Sequence, residues 1–235
     1  EIRFCDWSSD VCSSDLVVFV FGVSFIWLVL YNVRFWELTA EAMWHPSICS
    51  VLFLASLFIL TWTVLALLLL LLPNRWLMRV AASALFVIAA LGAYFCSEYG
   101  AIMNQEMMRN VLQTDRAEVA ALTSEDLWLH VVLLGLIPAV LVWRVRLPQV
   151  TWRQQLGQRA LAIAVALCLA VGGMFANSAD YATFFRQHKP VRYTLNPVAQ
   201  VVSMIGLLAG SRDSRASEPL IDPAGKPVLD RKSVV

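Results

Sequence analysis

The chain is 235 residues long, 59% hydrophobic and only 15% charged, with a net charge of +1 and a mean hydropathy of +0.67. A water-soluble globular domain carries about a quarter charged residues, so the composition excludes an ordinary soluble domain and points to a bilayer as solvent. The net charge says little, because orientation in a membrane follows the local placement of Lys and Arg rather than their total.

Residues 1–16, with the core Cys5-Asp6-Trp7-Ser8-Ser9-Asp10-Val11-Cys12-Ser13-Ser14-Asp15-Leu16, look like a translated short-read sequencing adapter. Residues 230–235 look like a second adapter, one that carries a stop codon in the same frame. Both stretches are expected to be artefacts, and residues 1–16 are set aside from the fold. Of the remaining cysteines, Cys96 and Cys168 lie inside apolar runs and Cys49 at the edge of one, with no C-x-x-C spacing.

Five apolar runs follow, at residues 17–31, 50–72, 80–96, 127–143 and 160–176. Each approaches the length that crosses about 30 Å of hydrocarbon at about 1.5 Å per residue. The first is short, which fits a helix that began earlier. The second holds an unbroken leucine tract at residues 67–72, with Pro46 and Pro73 just beyond its ends. Helices are expected because a helix satisfies its own backbone groups in lipid and an open strand does not. Pro138 lies inside the fourth run and should kink it. The expected fold is therefore all-α integral membrane, with five transmembrane helices over residues 17–180.

Loop charges set the expected topology. Arg75 and Arg79 follow the second run, and Arg144, Arg146, Arg153 and Arg159 follow the fourth, so both connections should face the cytoplasm. The alternate connections hold Arg34 in one, and in the other Arg109 and Arg116 among Glu98, Glu106, Asp115, Glu118, Glu125 and Asp126. Five spans from a cytoplasmic N-terminus then leave the C-terminal segment outside. One feature disagrees: Arg186, Lys189 and Arg192 follow the fifth run closely. Either the parity is wrong, or these cations meet anionic headgroups or phosphates. Trp36, Trp44, Trp76, Trp128 and Trp152 all lie near expected membrane edges, as an aromatic belt requires. Residues 198–208 could form one more amphipathic helix, and residues 210–226 have a linker composition.

The outward loop over residues 99–126 carries the most information. Read as a helix over residues 101–122, it sets Met103, Met107, Met108, Val111 and Leu112 on one face and Glu106, Asn110, Thr114 and Glu118 in a row at fourfold spacing. An amphipathic helix in the outward loop between spans 3 and 4 would lie in the membrane interface. There a carboxylate can pair with an ammonium, while an amide and a hydroxyl can bond phosphate oxygens. Spacing alone favours a solvated face of a surface helix.

The string Tyr99-Gly100 through Asn110-Val111-Leu112-Gln113-Thr114-Asp115-Arg116-Ala117-Glu118 resembles a signature of the lipid A phosphoethanolamine transferases, which include the mobile colistin-resistance enzymes. So do Tyr181-Ala182-Thr183-Phe184-Phe185-Arg186-Gln187-His188-Lys189-Pro190, Arg192 and Asn196-Pro197. The resemblance covers residues 17 to about 208.

It implies a two-part enzyme, with a five-helix membrane domain and a periplasmic domain related to alkaline phosphatases and sulfatases. In that family a zinc-activated threonine of the periplasmic domain takes phosphoethanolamine from phosphatidylethanolamine and passes it to lipid A. By resemblance, Glu118 meets the ethanolamine ammonium, Asn110 and Thr114 make polar headgroup contacts, and Tyr99 lines the cavity. Thr114 is not the nucleophile.

Residues 181–229 would be a periplasmic juxtamembrane segment and linker to a catalytic domain missing from this chain. Zinc belongs to that missing domain, because His45, His130 and His188 form no metal-ligand cluster here. The chain alone is thus expected to bind no metal and to lack transferase activity. Its expected partners are phosphatidylethanolamine, lipid A and the membrane, with no nucleic acid.

Two other classes remain open at this level. One is a small membrane protein, complete as written, that binds a lipid or scaffolds a partner. The other is a transporter, which usually shows polar midplane residues and internal repeats that these runs almost lack.

Overall fold

The computed structural model describes residues 7–44, 47–114, 124–145 and 152–216. Among the described residues every regular element is helical: α1 (Trp7–Leu30), α2 (Val33–Met43), α3 (Ile48–Leu70), α4 (Arg75–Glu98), α5 (Gln105–Gln113), α6 (Glu125–Arg144), α7 (Trp152–Ala176), α8 (Ser178–Gln187), a 3-10 segment (Lys189–Thr194) and α9 (Val198–Ala216). The helix α1 runs unbroken through residue 16, across the boundary drawn from the sequence.

Four helices are long and apolar enough to cross a membrane: α3, α4, α6 and the Leu156–Ala176 part of α7. Leu16–Leu30 and α2 make a fifth candidate only when taken together, as a pair bent by 65°. The chain is a multi-pass membrane protein. Burial separates inner from outer helices, since 39% of the apolar window of α3 and 44% of that of α4 are buried, against 17% in α6 and α7. The outer pair turns its leucines and valines to the surface, as lipid-facing helices do. Packing follows the same plan, with α3 against α1 and α7, and α4 against α6.

Polar groups inside this apolar bundle bond locally or across helices. Ser24, Thr39 and Thr61 each donate to the carbonyl four residues back. The indole of Trp62 donates to Phe21 O of α1 at 3.0 Å. Tyr181, on α8, meets Ser56 Oγ at 3.1 Å and sets its ring 5.1 Å from Phe53. Burial there pushes its phenol pKa up, with the Ser56 hydrogen bond acting against the shift.

The disturbance expected at Pro138 appears as a π-helical turn over Val131–Leu136. There Ile137 N–H bonds Val132 O instead of the carbonyl four back. Pro138 has no N–H to offer Leu134 O. The phenol of Tyr31, which ends α1, donates to that carbonyl instead. A proline that would orphan a backbone group in hydrocarbon thus becomes a tie between α1 and α6.

The bend after α1 is fastened by Asn32, 1% exposed. Its Nδ2 donates to Trp27 O and Asn196 O, both at 2.8 Å, and its Oδ1 accepts from Asn196 N at 2.7 Å. Asn196 replies with Nδ2 to Tyr31 O at 3.0 Å. Asn32→Leu removes these partners without opening space and orphans the Asn196 N–H and C=O, at about 1 to 3 kcal/mol for each buried group. It should lower stability by about 2 to 4 kcal/mol in a denaturing-detergent titration. Arg34→Gln, which removes only an exposed 3.1 Å pair with Glu37, should stay within about 0.5 kcal/mol. Equal stability of the two variants would show that the amide pair does not hold the bend.

Candidate functional site

At the end of α4 the chain turns through Tyr99 and Gly100, whose φ of 62° lies in the left-handed region. Asn104 then caps α5, its side chain accepting from Met107 N at 2.9 Å. The helix stops at Gln113, and Thr114 is extended, with ψ 129°. The helix expected over residues 101–122 is therefore much shorter. Gly100 turns the chain before it, and at its end Thr114 bends back so that both its N–H and its hydroxyl donate to Asn110 O, at 2.8 and 2.7 Å. Of the polar row, Glu106, Asn110 and Thr114 fall in or beside α5. Glu118 lies outside the described residues.

The apolar face of α5 is split. Met103 and Met108 are buried, while Val111 and Leu112 are 53% and 62% exposed. The buried part packs on α9. Ser203 Oγ of α9 donates to Met103 O at 2.7 Å, and Met103 N–H donates to Tyr193 O at 3.3 Å. Between α4, α5 and α9 lies a cavity of about 600 Å³. Met103, Met107, Met108, Met204, Phe95 and Ile88 form much of its apolar wall, and Asn110, Thr114 and Gln200 supply polar side chains. This is the composition of a pocket for an amphiphile, largely apolar with a few placed polar groups.

Asn110 and Thr114 therefore meet in one wall. Tyr99 does not join them: it is 57% exposed at the end of α4, its ring 5.7 Å from that of Phe95, and is not among the residues that line this cavity. The sequence reading missed Gln200, which is 5% exposed. Its Nε2 donates to Asn196 Oδ1, and its Oε1 has no hydrogen-bond partner. A signal was present, because Gln200 is a lone amide in an otherwise apolar helical stretch one turn after Asn196.

Two glycines let helices close around the cavity, Gly92 on this amide and Gly206 on the side chain of Gln105. A Cβ on Gly92 would collide with Gln200 Nε2 and come within 2.7 Å of Asn196 Oδ1, and one on Gly206 would collide with Gln105. Among the described residues no group of three His, Cys, Asp or Glu side chains could hold a metal, so the donors present do not fit a zinc site. Arg186, Lys189 and Arg192 are exposed, and Arg192 lies 4.7 Å over the ring of Tyr193.

The family model for phosphoethanolamine transferase EptA/EptB matches residues 61–211, more than half of the chain. The chain belongs to this family. Among its relatives, phosphatidylethanolamine transferase Mcr-2 of Escherichia coli is 32% identical over 188 residues, 80% of this chain and 34% of that protein. Mcr-1 of Escherichia coli is 34% identical over 173 residues, 74% of this chain and 30% of that protein. The chain thus spans about a third of the length of the curated relatives it matches.

The integral membrane protein lipooligosaccharide phosphoethanolamine transferase A (EptA) from Neisseria meningitidis superposes with a TM-score of 0.76 at 24% identity. The superposition covers 84% of this chain and 37% of that one, and it bears on the fold alone.

Gly92→Ala forces a methyl group into the hydrogen-bonded pair of Gln200 and Asn196 and should cost about 1 to 3 kcal/mol, as overpacking does. Gly22→Ala, where a Cβ meets nothing within 4 Å, should be neutral or stabilising by up to about 1 kcal/mol through helix propensity. Unfolding midpoints of the two purified variants compare them directly. A Gly92→Ala protein as stable as the parent would mean that α4 and α9 do not depend on this close approach.

Proposed function

We propose that this chain is the membrane part of a phosphoethanolamine transferase of a bacterial inner membrane, and that the cavity between α4, α5 and α9 receives the headgroup region of the donor, phosphatidylethanolamine. The acceptor in this reading is lipid A. The observation that carries it is the convergence of Asn110 and Thr114 on the wall of a cavity that is otherwise largely methionine and aliphatic.

The hydrogen bonds assign roles in this reading. The Thr114 hydroxyl proton is committed to Asn110 O, so its oxygen is left to accept from a donor such as the ethanolamine ammonium. The Asn110 amide can donate to a phosphate oxygen. Glu118, four residues beyond Thr114, would neutralise the ammonium charge. The membrane part anchors and presents the lipid, while the transfer itself, with zinc, falls to residues beyond those present here. The length of the relatives and their names support that division.

Binding tests the reading without turnover. Purified chain should bind fluorescent phosphatidylethanolamine better than its phosphatidylcholine counterpart, whose quaternary nitrogen has no N–H. Glu118→Gln should weaken binding about tenfold to hundredfold, as loss of a charge-assisted bond of about 1.5 to 3 kcal/mol predicts. Asn110→Ala and Thr114→Ala should each weaken it by about tenfold or less. Unchanged affinity in all three folded variants would remove the headgroup assignment. Transfer of labelled phosphoethanolamine to lipid A by the chain alone would overturn the division of labour.

The orientation proposed with this function has a separate test, motivated by the arginine asymmetry. Reporter fusions after Arg146 should read cytoplasmic, and fusions after Thr123 or Pro197 periplasmic. A cytoplasmic reading at Pro197 would place the cavity on the wrong side for lipid A.

A further inference from the structure

The opposite end of the bundle is where α3 and α6 stop and α4 and α7 start. Residues 71–79 and 144–160 hold six arginines, Arg75, Arg79, Arg144, Arg146, Arg153 and Arg159, and no Asp or Glu. A positive end of this kind is ordinary for a membrane protein. Arg159 is not, because it is 6% exposed.

Its Nη1 donates to Leu72 O, just beyond α3, while Nε and Nη2 have no hydrogen-bond partner. Beside the guanidinium is a cavity of about 250 Å³ walled by Leu70, Leu71, Pro73, Leu156, Ala160 and Ile163. Leu71 and Leu156 are 71% and 55% exposed, so the cavity borders the surface that lipid covers.

Arginine stays protonated, and a buried cation with two idle donors is unfavourable unless an anion or hydrogen-bond acceptors meet it. The cavity is several times the roughly 30 Å³ that one water occupies in the liquid. No wall residue other than Arg159 has a polar side chain to anchor waters there. Nε and Nη2 form one edge of the planar fork that takes two oxygens of a phosphate or carboxylate side by side. A phosphodiester offers two such oxygens, and the aliphatic wall suits the glycerol and acyl chains attached to it. With six arginines and no acid in these two connections, a lipid that also carries an ammonium is disfavoured against one of net negative charge.

We propose that Arg159 and this cavity bind the phosphodiester of an anionic phospholipid from the leaflet at this end, through Nε and Nη2. The site lies at the other end of the bundle from the α4–α5–α9 cavity and does not rest on the function proposed for that cavity.

The test is native mass spectrometry of the purified full chain titrated separately with phosphatidylglycerol, phosphatidylethanolamine and inorganic phosphate. The parent should retain one phosphatidylglycerol about tenfold more tightly than phosphatidylethanolamine, because both offer the phosphodiester and only the second brings an ammonium up to the arginines. Arg159→Gln should abolish that preference. Arg144→Gln, an exposed arginine at the same end, should keep it. Arg159→Lys should weaken retention while keeping the preference, because an ammonium keeps the charge and loses the fork.

A parent with no preference overturns the site, whether or not Arg159→Gln folds. Equal loss in Arg144→Gln and Arg159→Gln reduces it to surface electrostatics and overturns it. Inorganic phosphate that displaces the lipid at equal concentration overturns the lipid as occupant, and full affinity in Arg159→Lys overturns the bidentate contact.

Discussion

The reciprocal amide pair of Asn32 and Asn196 is the constraint on which the rest of the bundle depends. Hydrocarbon offers no partner for a backbone group, yet the chain must bend by 65° after α1 and must start α9 from a non-helical stretch. Each amide bonds the other and the backbone around it, so two irregular points 164 residues apart satisfy one another. Their hydrogen bonds also have a fixed direction. Asn196 Nδ2 is committed to Tyr31 O, which leaves Asn196 Oδ1 to accept from Gln200 Nε2 and turns Gln200 Oε1 into an acceptor without a partner. Fold and cavity therefore share one network, and a change at the bend reaches the cavity wall through two side chains.

Tyr31 shows the same economy of polar groups. Its carbonyl accepts from Asn196 and its phenol donates to the Leu134 carbonyl that Pro138 cannot serve. One break in helical hydrogen bonding at the end of α1 and one in α6 are closed by the same residue. Gly92 belongs to this arrangement because only a residue without a Cβ allows α4 to approach the Asn196 and Gln200 side chains. Small residues that bring helices together and side-chain amides that join them are the usual means of association where lipid removes the hydrophobic drive between helices.

The helical layout was largely legible in the sequence, because hydropathy is a local property. The apolar runs at residues 50–72, 80–96, 127–143 and 160–176 match α3, α4, α6 and α7 to within a few residues. The short run at 17–31 is the one that reaches spanning length only with α2. The length of α5 was misread because fourfold spacing cannot show a terminus. Gly100, the Asn104 cap and the back-bonding hydroxyl of Thr114 decide where the helix begins and ends. Gln200 stood out as a lone amide and Arg159 as one of several polar residues before an apolar run, but only their partners across the bundle show which of their atoms are idle.

The two ends of the bundle present opposite charge. The connection from Glu98 to Asp126 carries six acids, Glu98, Glu106, Asp115, Glu118, Glu125 and Asp126, against Arg109 and Arg116, whereas the connections at residues 71–79 and 144–160 carry six arginines and no acid. Membrane insertion explains an excess of cations on one side, since it orders Lys and Arg and is nearly indifferent to Asp and Glu. It does not explain the acids. On the function proposed above, the acid-rich connection favours the ammonium of a zwitterionic lipid, while Arg186, Lys189 and Arg192, exposed at the same end, are the cations available to its phosphate. The lipid site proposed at Arg159 would apply the reverse selection, to lipids of net negative charge. On these two proposals each leaflet would meet a surface of different electrostatic preference, set by residues that the fold itself does not require to be charged.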